Sequence, residues 1–162
     1  MIKRILLDMD GVLTNYDYWL DYNNARKPDT GKSDWKKLER IGSSYWSDMP
    51  WNMEGHKLYN MLLDYVKGKD LKIGILSAVY LFCGKRGKRY WLEKNCPEIN
   101  KNDVIICNKG IDKWKHGSEE DLLVDDNSEN CKLYNNIGSA VKFDNAIQAF
   151  DEIKKIIDSQ VQ

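Results

Sequence analysis

The feature that most constrains this chain is the run ILLDMDGVLT at residues 5–14, where an apolar strand ends in two carboxylates. Asp8 and Asp10 are separated by one residue, and Gly11 then lets the backbone turn sharply. Burial of apolar side chains drives the strand inward, whereas an unpaired carboxylate resists the loss of water. In open α/β sheets, ligands bind at the carboxyl ends of the strands. The run therefore predicts a compensating cation, a phosphate-handling role or both, and we interpret it as a phosphoryl-transfer site.

Length and composition are typical of one soluble domain. The chain has 162 residues, of which 42% are apolar, enough for a sizeable core. Lys and Arg number 25, as do Asp and Glu, which argues against a nucleic-acid binder held mainly by bulk charge. The four cysteines show no CxxC pair and no metal-ligand spacing with a histidine, so we expect reduced thiols. No signal peptide and no apolar run of ~20 residues is evident, which predicts a cytoplasmic protein without a membrane partner.

Apolar runs of strand length alternate with segments of helical periodicity. The strand candidates are residues 2–7, 71–76, 104–107, 122–124 and 140–143. The helix candidates are 56–67, 88–94, 131–137 with Gly138 as its C-terminal cap, and a last helix in which Asn145 and Gln148 resemble a capping box. This alternation predicts an α/β fold, a Rossmann-like parallel sheet of order 5-4-1-2-3 with helices on both faces.

Residues 15–54 interrupt the alternation. They contain eight of the 18 aromatic residues, two of the three prolines and one short helix candidate at 34–41. The segment is too long for an ordinary loop in a compact domain. We therefore predict a small helical cap inserted after strand 1, with residues 1–14 and 55–162 forming the core. Aromatic residues in such a cap either pack its own minor core or form an apolar wall for a ligand.

Two further strand ends carry polar groups. Ser77 follows the strand at 71–76 and could hold a phosphate oxygen, although a serine there is most often a turn residue or a helix cap. Asp125 and Asp126 follow the strand at 122–124. In the order 5-4-1-2-3 the first and fourth strands are neighbours, so Asp8, Asp10, Asp125 and Asp126 would converge. Such carboxylates cannot all stay ionised unaided, and Mg²⁺ would resolve the conflict.

The order of these motifs resembles that of the haloacid dehalogenase-like (HAD) phosphohydrolases, over nearly the whole chain. The resemblance rests on DMDG at 8–11, Ser77, a lysine, and the DD pair at 125–126. Finer features are similar to the 5'(3')-deoxyribonucleotidases and their phage and bacterial relatives: DMDGVL, DMPW at 48–51, ILSA at 75–78, the stretch 87–94 and LLVDD. Val79 and Asn127 depart from the Pro and Arg of many relatives, and both departures bear on substrate specificity.

The resemblance implies a Mg²⁺-dependent phosphomonoesterase that hydrolyses (deoxy)nucleoside 5'-monophosphates through an aspartyl-phosphate. Asp8 would be the nucleophile, and Asp10 the general acid and then the general base. Mg²⁺ would be held by Asp8, the backbone carbonyl of Asp10, and the pair Asp125 and Asp126. Ser77 and one lysine would hold the remaining phosphoryl oxygens.

That lysine is Lys113 or Lys115, which are two residues apart and cannot share a helical face. The family-like spacing favours Lys113 and leaves Lys115 open. Lys88 lies in the basic run at 84–89 and is either a solvated helix start or a contact to the substrate phosphate. Binding of nucleic acid by that run is the weaker interpretation, because the chain has no net positive charge.

Substrate contacts are predicted at Ser77, Ala78, Lys88, Trp19 and Trp46, the last two from the cap. One alternative is a HAD phosphatase for another small phosphomonoester, such as a sugar phosphate, or for a polynucleotide 3'-phosphate. A second alternative is a non-catalytic HAD-like binding domain, against which the presence of both Asp8 and Asp10 argues. A homodimer is compatible with the pattern, and nothing in the pattern requires one.

Overall fold

The computed structural model describes residues 1–160. Within them the strands are β1 Arg4–Leu7, β2 Lys72–Ala78, β3 Val104–Cys107, β4 Asp121–Asp125 and β5 Ser139–Lys142. They form one five-stranded parallel sheet of order β3-β2-β1-β4-β5. The fold class and the strand order predicted from the sequence are confirmed. Residues 5–7 of β1 and 122–124 of β4 are apolar and buried, because helices cover both faces of the sheet.

Among residues 1–160, seven α-helices connect the strands or follow the last of them. They are α1 Tyr16–Tyr22, α2 Trp35–Ile41, α3 Ser44–Ser47, α4 Met53–Val66, α5 Phe82–Asn95, α6 Ser128–Tyr134 and α7 Ala146–Asp158. Short 3-10 helices precede β3 and β4, at Lys101–Asp103 and Gly110–His116. No helix among residues 1–160 has both the length and the apolar character needed to cross a membrane.

Two predicted helix ends are wrong. Helix α5 begins at Phe82, six residues before the predicted start. The prediction was wrong because Gly84 and Gly87 disfavour a helix, although α5 contains both. Helix α6 ends at Tyr134, so Gly138 is not its cap. The predicted cap of α7 is present, since the Asn145 side chain accepts a hydrogen bond from the Gln148 backbone N–H at 3.0 Å.

Residues 15–54, the cap segment, contain α1, α2 and α3. The two chain segments that lead into and out of it run side by side, because the Asn15 N–H donates to the Pro50 carbonyl and the Asn52 N–H to the Leu13 carbonyl. Helix α3 packs against α5 of the core, with the Trp46 ring between them. The helical character predicted for the segment is confirmed, and its division from the core as a separate domain stays a prediction.

Candidate active site

Asp8 and Asp125 lie side by side at the carboxyl edge of the sheet. Strand pairing of Leu7 with Val124 sets the two aspartates opposite each other. The Nζ of Lys113 lies 2.8 Å from Asp8 Oδ2 and 2.6 Å from Asp125 Oδ2, and all three side chains are buried. Burial alone would lower the pKa of Lys113, but the two carboxylates raise it above its ordinary value. The ammonium group therefore stays charged and holds the two carboxylates together.

The 3-10 helix at Gly110–His116 explains which of the two candidate lysines enters the site. With about three residues per turn, Lys113 and Lys115 point in different directions. Lys113 is 2% exposed, whereas Lys115 stays at the surface and pairs with Asp112 at 2.7 Å. The structure thus brings Lys113, and not Lys115, to Asp8.

A second buried lysine holds the second aspartate. Lys88 is 1% exposed, and its Nζ donates to Asp10 Oδ2 at 2.7 Å and to Ser77 Oγ at 2.8 Å. Thr14 adds a hydrogen bond from its hydroxyl to Asp10 Oδ1 at 3.3 Å. Of the two alternatives for Lys88, the solvated helix start is wrong, because the earlier start of α5 puts Lys88 on the inner face of that helix.

The pKa of Asp10 lies above its ordinary value. Burial is the main cause, and the charge of Asp8 adds to it, while the charge of Lys88 opposes both. A carboxyl group that is held in place and takes up a proton more readily than usual suits proton transfer near neutral pH.

Asp126 completes the carboxylate cluster and rests on the turn after β1. Gly11 has φ +83°, and a Cβ built on it would lie 2.2 Å from Asp126 Oδ2, so only glycine fits there. Loss of water around the carboxylate, with the charges of Asp8 and Asp125, raises the pKa of Asp126 to about 7. Gly11 therefore leaves free the space that the Asp126 carboxylate occupies.

The cluster has the donor chemistry of a site for a hard divalent cation. Asp8, Asp125 and Asp126 each offer an oxygen, and these atoms lie within 4.8 Å of one another. Together with Asp10 they make four carboxylates against the two buried ammonium groups, which leaves an excess of two negative charges when all are ionised. An all-oxygen donor set with this excess fits Mg²⁺. The Asp10 carboxylate already accepts a hydrogen bond from Lys88, so the predicted metal contact of Asp10 is its backbone carbonyl.

Asn130 is a site residue that the sequence analysis missed. Its Nδ2 donates to Asp125 at 3.1 Å, and the backbone N–H of Asn127 donates to the same carboxylate at 2.9 Å. The Asn127 side chain meanwhile caps α6, accepting from Glu129 and Asn130 N–H groups. The signal in the sequence was a helix-capping residue, Asn127, directly after the DD pair. Such a residue starts the next helix beside Asp125, so that its first turn reaches that carboxylate.

The cap aromatics differ in role. Trp46 is 1% exposed and packs on α5, where a Cβ at Gly87 would lie 2.8 Å from the Trp46 Cβ. Its predicted contact with substrate is wrong, because its ring is enclosed between the cap segment and the core. Trp19 is half-buried, donates its indole N–H to the Tyr45 carbonyl at 2.7 Å and stacks on Tyr22. Substrate contacts of Trp19 and of the half-buried Ala78 stay predictions.

No protein-family model matches the chain, and no curated protein sequence matches it. Solved structures do match. The L-2-haloacid dehalogenase of Xanthobacter autotrophicus superposes with a TM-score of 0.52 at 13% identity, covering 88% of this chain and 77% of that enzyme. The chain has a haloacid dehalogenase-like fold.

Two further structures share this haloacid dehalogenase-like fold. An uncharacterized protein from Corynebacterium glutamicum gives a TM-score of 0.54 at 18% identity, covering 98% of this chain and 96% of the other. A hydrolase from Pseudomonas syringae gives 0.51 at 12% identity, covering 96% and 99%. At these identities the likeness establishes the fold alone.

Proposed function

We propose that the protein is a Mg²⁺-dependent phosphomonoesterase of the HAD superfamily, acting on (deoxy)nucleoside monophosphates. The observation that carries this proposal is the pair of buried lysine–aspartate contacts at one sheet edge. Lys113 holds Asp8 beside the acidic cluster, and Lys88 holds Asp10 beside Ser77. Two aspartates kept in different charge environments are the arrangement that a nucleophile and an acid/base group require.

In this proposal Asp8 is the nucleophile. Its Oδ forms a bond to phosphorus while the bond from phosphorus to the leaving oxygen breaks, and Asp10 transfers its proton to that oxygen. Asp10 then takes a proton from a water, whose oxygen attacks phosphorus, and the bond to Asp8 breaks to release orthophosphate. Lys113 and Ser77 hold phosphoryl oxygens, and Lys88 keeps Asp10 in place. Mg²⁺ held by Asp8, Asp125, Asp126 and the Asp10 carbonyl would neutralise charge on the phosphoryl group.

An aromatic pair between the cap segment and the core supports a nucleotide as substrate. The rings of Trp35, at the start of α2, and Tyr80 lie 5.0 Å apart at an angle of 58°. Tyr80 is 53% exposed and follows Ser77 by three residues, so the pair lies just beyond the strand that delivers Ser77. A planar base can stack on such rings. We therefore propose Trp35 and Tyr80, in place of Trp46, as the contacts of the base.

A polynucleotide 3'-phosphate is the second candidate substrate, because one exposed face of α5 combines positive charge with aromatic rings. Phe82 and Tyr90 are 78% and 52% exposed on this face, and Arg86 and Arg89 are exposed beside them. Single strands bind to surfaces of this composition through phosphate contacts and base stacking.

Orthophosphate release tests the proposal. The panel contains 5'- and 3'-nucleoside monophosphates in ribose and deoxyribose forms, a 3'-phosphorylated oligonucleotide, a sugar phosphate and p-nitrophenyl phosphate, each with Mg²⁺. Asp8→Asn, nearly isosteric but without a nucleophile, is the control. We expect release from a few mononucleotides, and none with the variant.

Other outcomes separate the alternatives. Preference for the oligonucleotide would favour the second candidate, and cleavage of p-nitrophenyl phosphate alone would keep the chemistry and reject the nucleotide. A structure of the Xanthobacter enzyme holds covalently bound chloropropionic acid. Chloride release from 2-chloropropionate, without phosphate release from any ester, would contradict the proposal.

A further inference from the structure

The two edges of the sheet differ in how their outward backbone groups are satisfied. At the β5 edge, two side chains serve as partners. The Asn135 amide oxygen accepts from the Ala140 N–H at 2.7 Å, and the Gln148 amide nitrogen donates to the Lys142 carbonyl at 3.0 Å. Free backbone groups at a sheet edge are a template for pairing with another chain, so these side chains close the β5 edge.

The β3 edge is open. The Val79 N–H donates to the Cys107 carbonyl at 2.9 Å, so the backbone of Cys107 faces β2, and that of Ile106, one residue earlier, faces away from β2. No strand lies beyond β3 in the sheet, and within residues 1–160 no side chain or loop bonds to the Ile106 N–H or carbonyl. The edge therefore offers one free donor and one free acceptor in the geometry of a strand.

An apolar cavity of about 380 Å³ lies between α5 and this edge. Its apolar lining includes Leu92 and Cys96 from the end of α5, Ile99, and Val104 of β3. Val104 and Ile106 pack on the side of the sheet that α5 covers. A strand added beside β3 would point alternate side chains toward that same side, and so toward the cavity.

The charge beside the β3 edge is mainly positive. Arg89 and Lys101 line the cavity and are exposed, and Lys85 donates to the Asn108 side chain, directly after β3, at 2.6 Å. Against these three cations stands the carboxylate of Glu93, which pairs with Lys101 at 2.9 Å. In the part of the chain that the structure describes, Arg89 makes no ion pair.

This charge distinguishes between the possible partners of the edge. A two-fold contact between the β3 edges of two copies would bring like charges together, whereas an acidic segment would meet opposite charges. Edge cations alone could serve only to discourage aggregation. The apolar cavity beside them has no part in that role, and it adds a surface on which a side chain can be buried.

We propose that the β3 edge and the cavity beside it form a docking site for an extended acidic segment of another protein. The segment adds a strand to the sheet, with its backbone paired to the Ile106 N–H and carbonyl. One apolar side chain of the segment enters the cavity over Val104, and flanking carboxylates contact Arg89 and Lys101. None of the residues lining the cavity belongs to the proposed active site, so this inference does not depend on the proposed function.

A blocked seven-residue peptide of alternating glutamate and valine is the probe. The same peptide with lysine in place of glutamate is its control. Nitrogen–proton NMR spectra of the full chain follow the binding of both. We expect the acidic peptide to bind about tenfold more tightly than the basic one, to shift the Ile106 amide signal and to slow the hydrogen exchange of that amide.

N-methylation of the acidic peptide tests for backbone pairing. Alternate residues of a strand face the same neighbour, so one of two adjacent amides faces β3 and the other faces solvent. Methylating the first should weaken binding about two- to tenfold, the value of one backbone hydrogen bond, and methylating the second should not. Equal affinity of both methylated peptides and the parent would show that no strand is added, and would overturn the proposal.

Arg89→Glu tests the charge of the docking site, with Lys94→Glu as the matched control. Both residues are exposed on α5, and both changes reverse one charge, but Lys94 does not line the cavity. Arg89→Glu should weaken binding of the acidic peptide about fivefold, because an attraction becomes a repulsion. Lys94→Glu should change it less than twofold. Equal effects of the two variants would contradict a contact at Arg89.

Other outcomes would also overturn the proposal. They are no binding of the acidic peptide at millimolar concentration, equal affinity for the acidic and basic peptides, and binding that leaves the Ile106 amide unchanged. Dimerisation of the chain that protects the Ile106 amide would assign the edge to a second copy. An oligothymidylate that shifts the same amide at lower concentration than the acidic peptide would assign it to a nucleic acid.

Discussion

Lys113 is the residue on which the charge balance of the site depends. Its ammonium lies within 2.8 Å of two buried carboxylates, so its removal leaves Asp8 and Asp125 close together without a counter-charge. Breaking a buried ion pair from one side costs about 3–5 kcal/mol. Lys115, two residues on, pairs with Asp112 at the surface, where such pairs contribute little.

We therefore expect Lys113→Met to lower the unfolding free energy by about 3–5 kcal/mol and to abolish phosphate release. Lys115→Met is the matched control and should leave both close to wild type. Denaturant titration gives the first quantity and orthophosphate release the second. If the two variants had the same stability and the same activity, Lys113 would have no role in the site.

At the scale of elements, the contact between α3 and α5 joins the cap segment to the core. The two glycines of α5 make room for α3, since a Cβ at Gly87 would lie 2.3 Å from the Ser43 carbonyl oxygen. Because glycine disfavours a helix, the same two glycines led to the wrong prediction for the start of α5. Their physical role is to let two helices approach each other closely.

Gly87→Ala tests this contact, because two effects of the substitution oppose each other. Alanine favours a helix by about 1 kcal/mol, while forcing a methyl group into a packed interface costs about 1–3 kcal/mol. We expect a net fall in Tm and a higher KM, because α3, and with it the cap segment, must shift. Gly110→Ala is the control, as its Cβ would lie an ordinary 3.4 Å from Asn130. A rise in Tm with Gly87→Ala would mean that α3 moves aside without loss of stability.

For the whole molecule, the fold was predictable because strand-length apolar runs alternate with helical segments, which permits few topologies. The four aspartates were predictable for the same reason, since parallel strands deliver their ends to one edge. The lysines followed from the family resemblance, which favoured Lys113 and left Lys88 with two alternatives, because whether each points inward depends on where its helix begins. The roles of the cap aromatics were not predictable: Trp46 and Trp35 have the same chemistry, and only packing distinguishes the enclosed Trp46 ring from the partly exposed Trp35 ring.

The acidic cluster joins distant parts of the chain, so a bound cation should stabilise the whole protein. Asp8 follows β1 and Asp126 follows β4, and a metal held by both links the first residues to the last third of the chain. The pKa of Asp126, raised to about 7, makes this stabilisation depend on pH. In the metal-free protein, ionising Asp126 is harder than in the unfolded chain, so its contribution lowers stability as pH rises from about 4 to about 7.

Mg²⁺ favours the ionised carboxylate, and below about pH 7 it must displace a proton from Asp126. We therefore expect saturating MgCl₂ to raise Tm more at about pH 8 than at about pH 5.5. Asp126→Asn should raise the metal-free Tm at the higher pH, shrink the Mg²⁺-induced shift and reduce its dependence on pH. Thermal unfolding of both proteins, with MgCl₂ and with EDTA, measures all three effects. A Mg²⁺-induced shift that is equal at both pH values, or unchanged in Asp126→Asn, would show that Asp126 does not hold the cation.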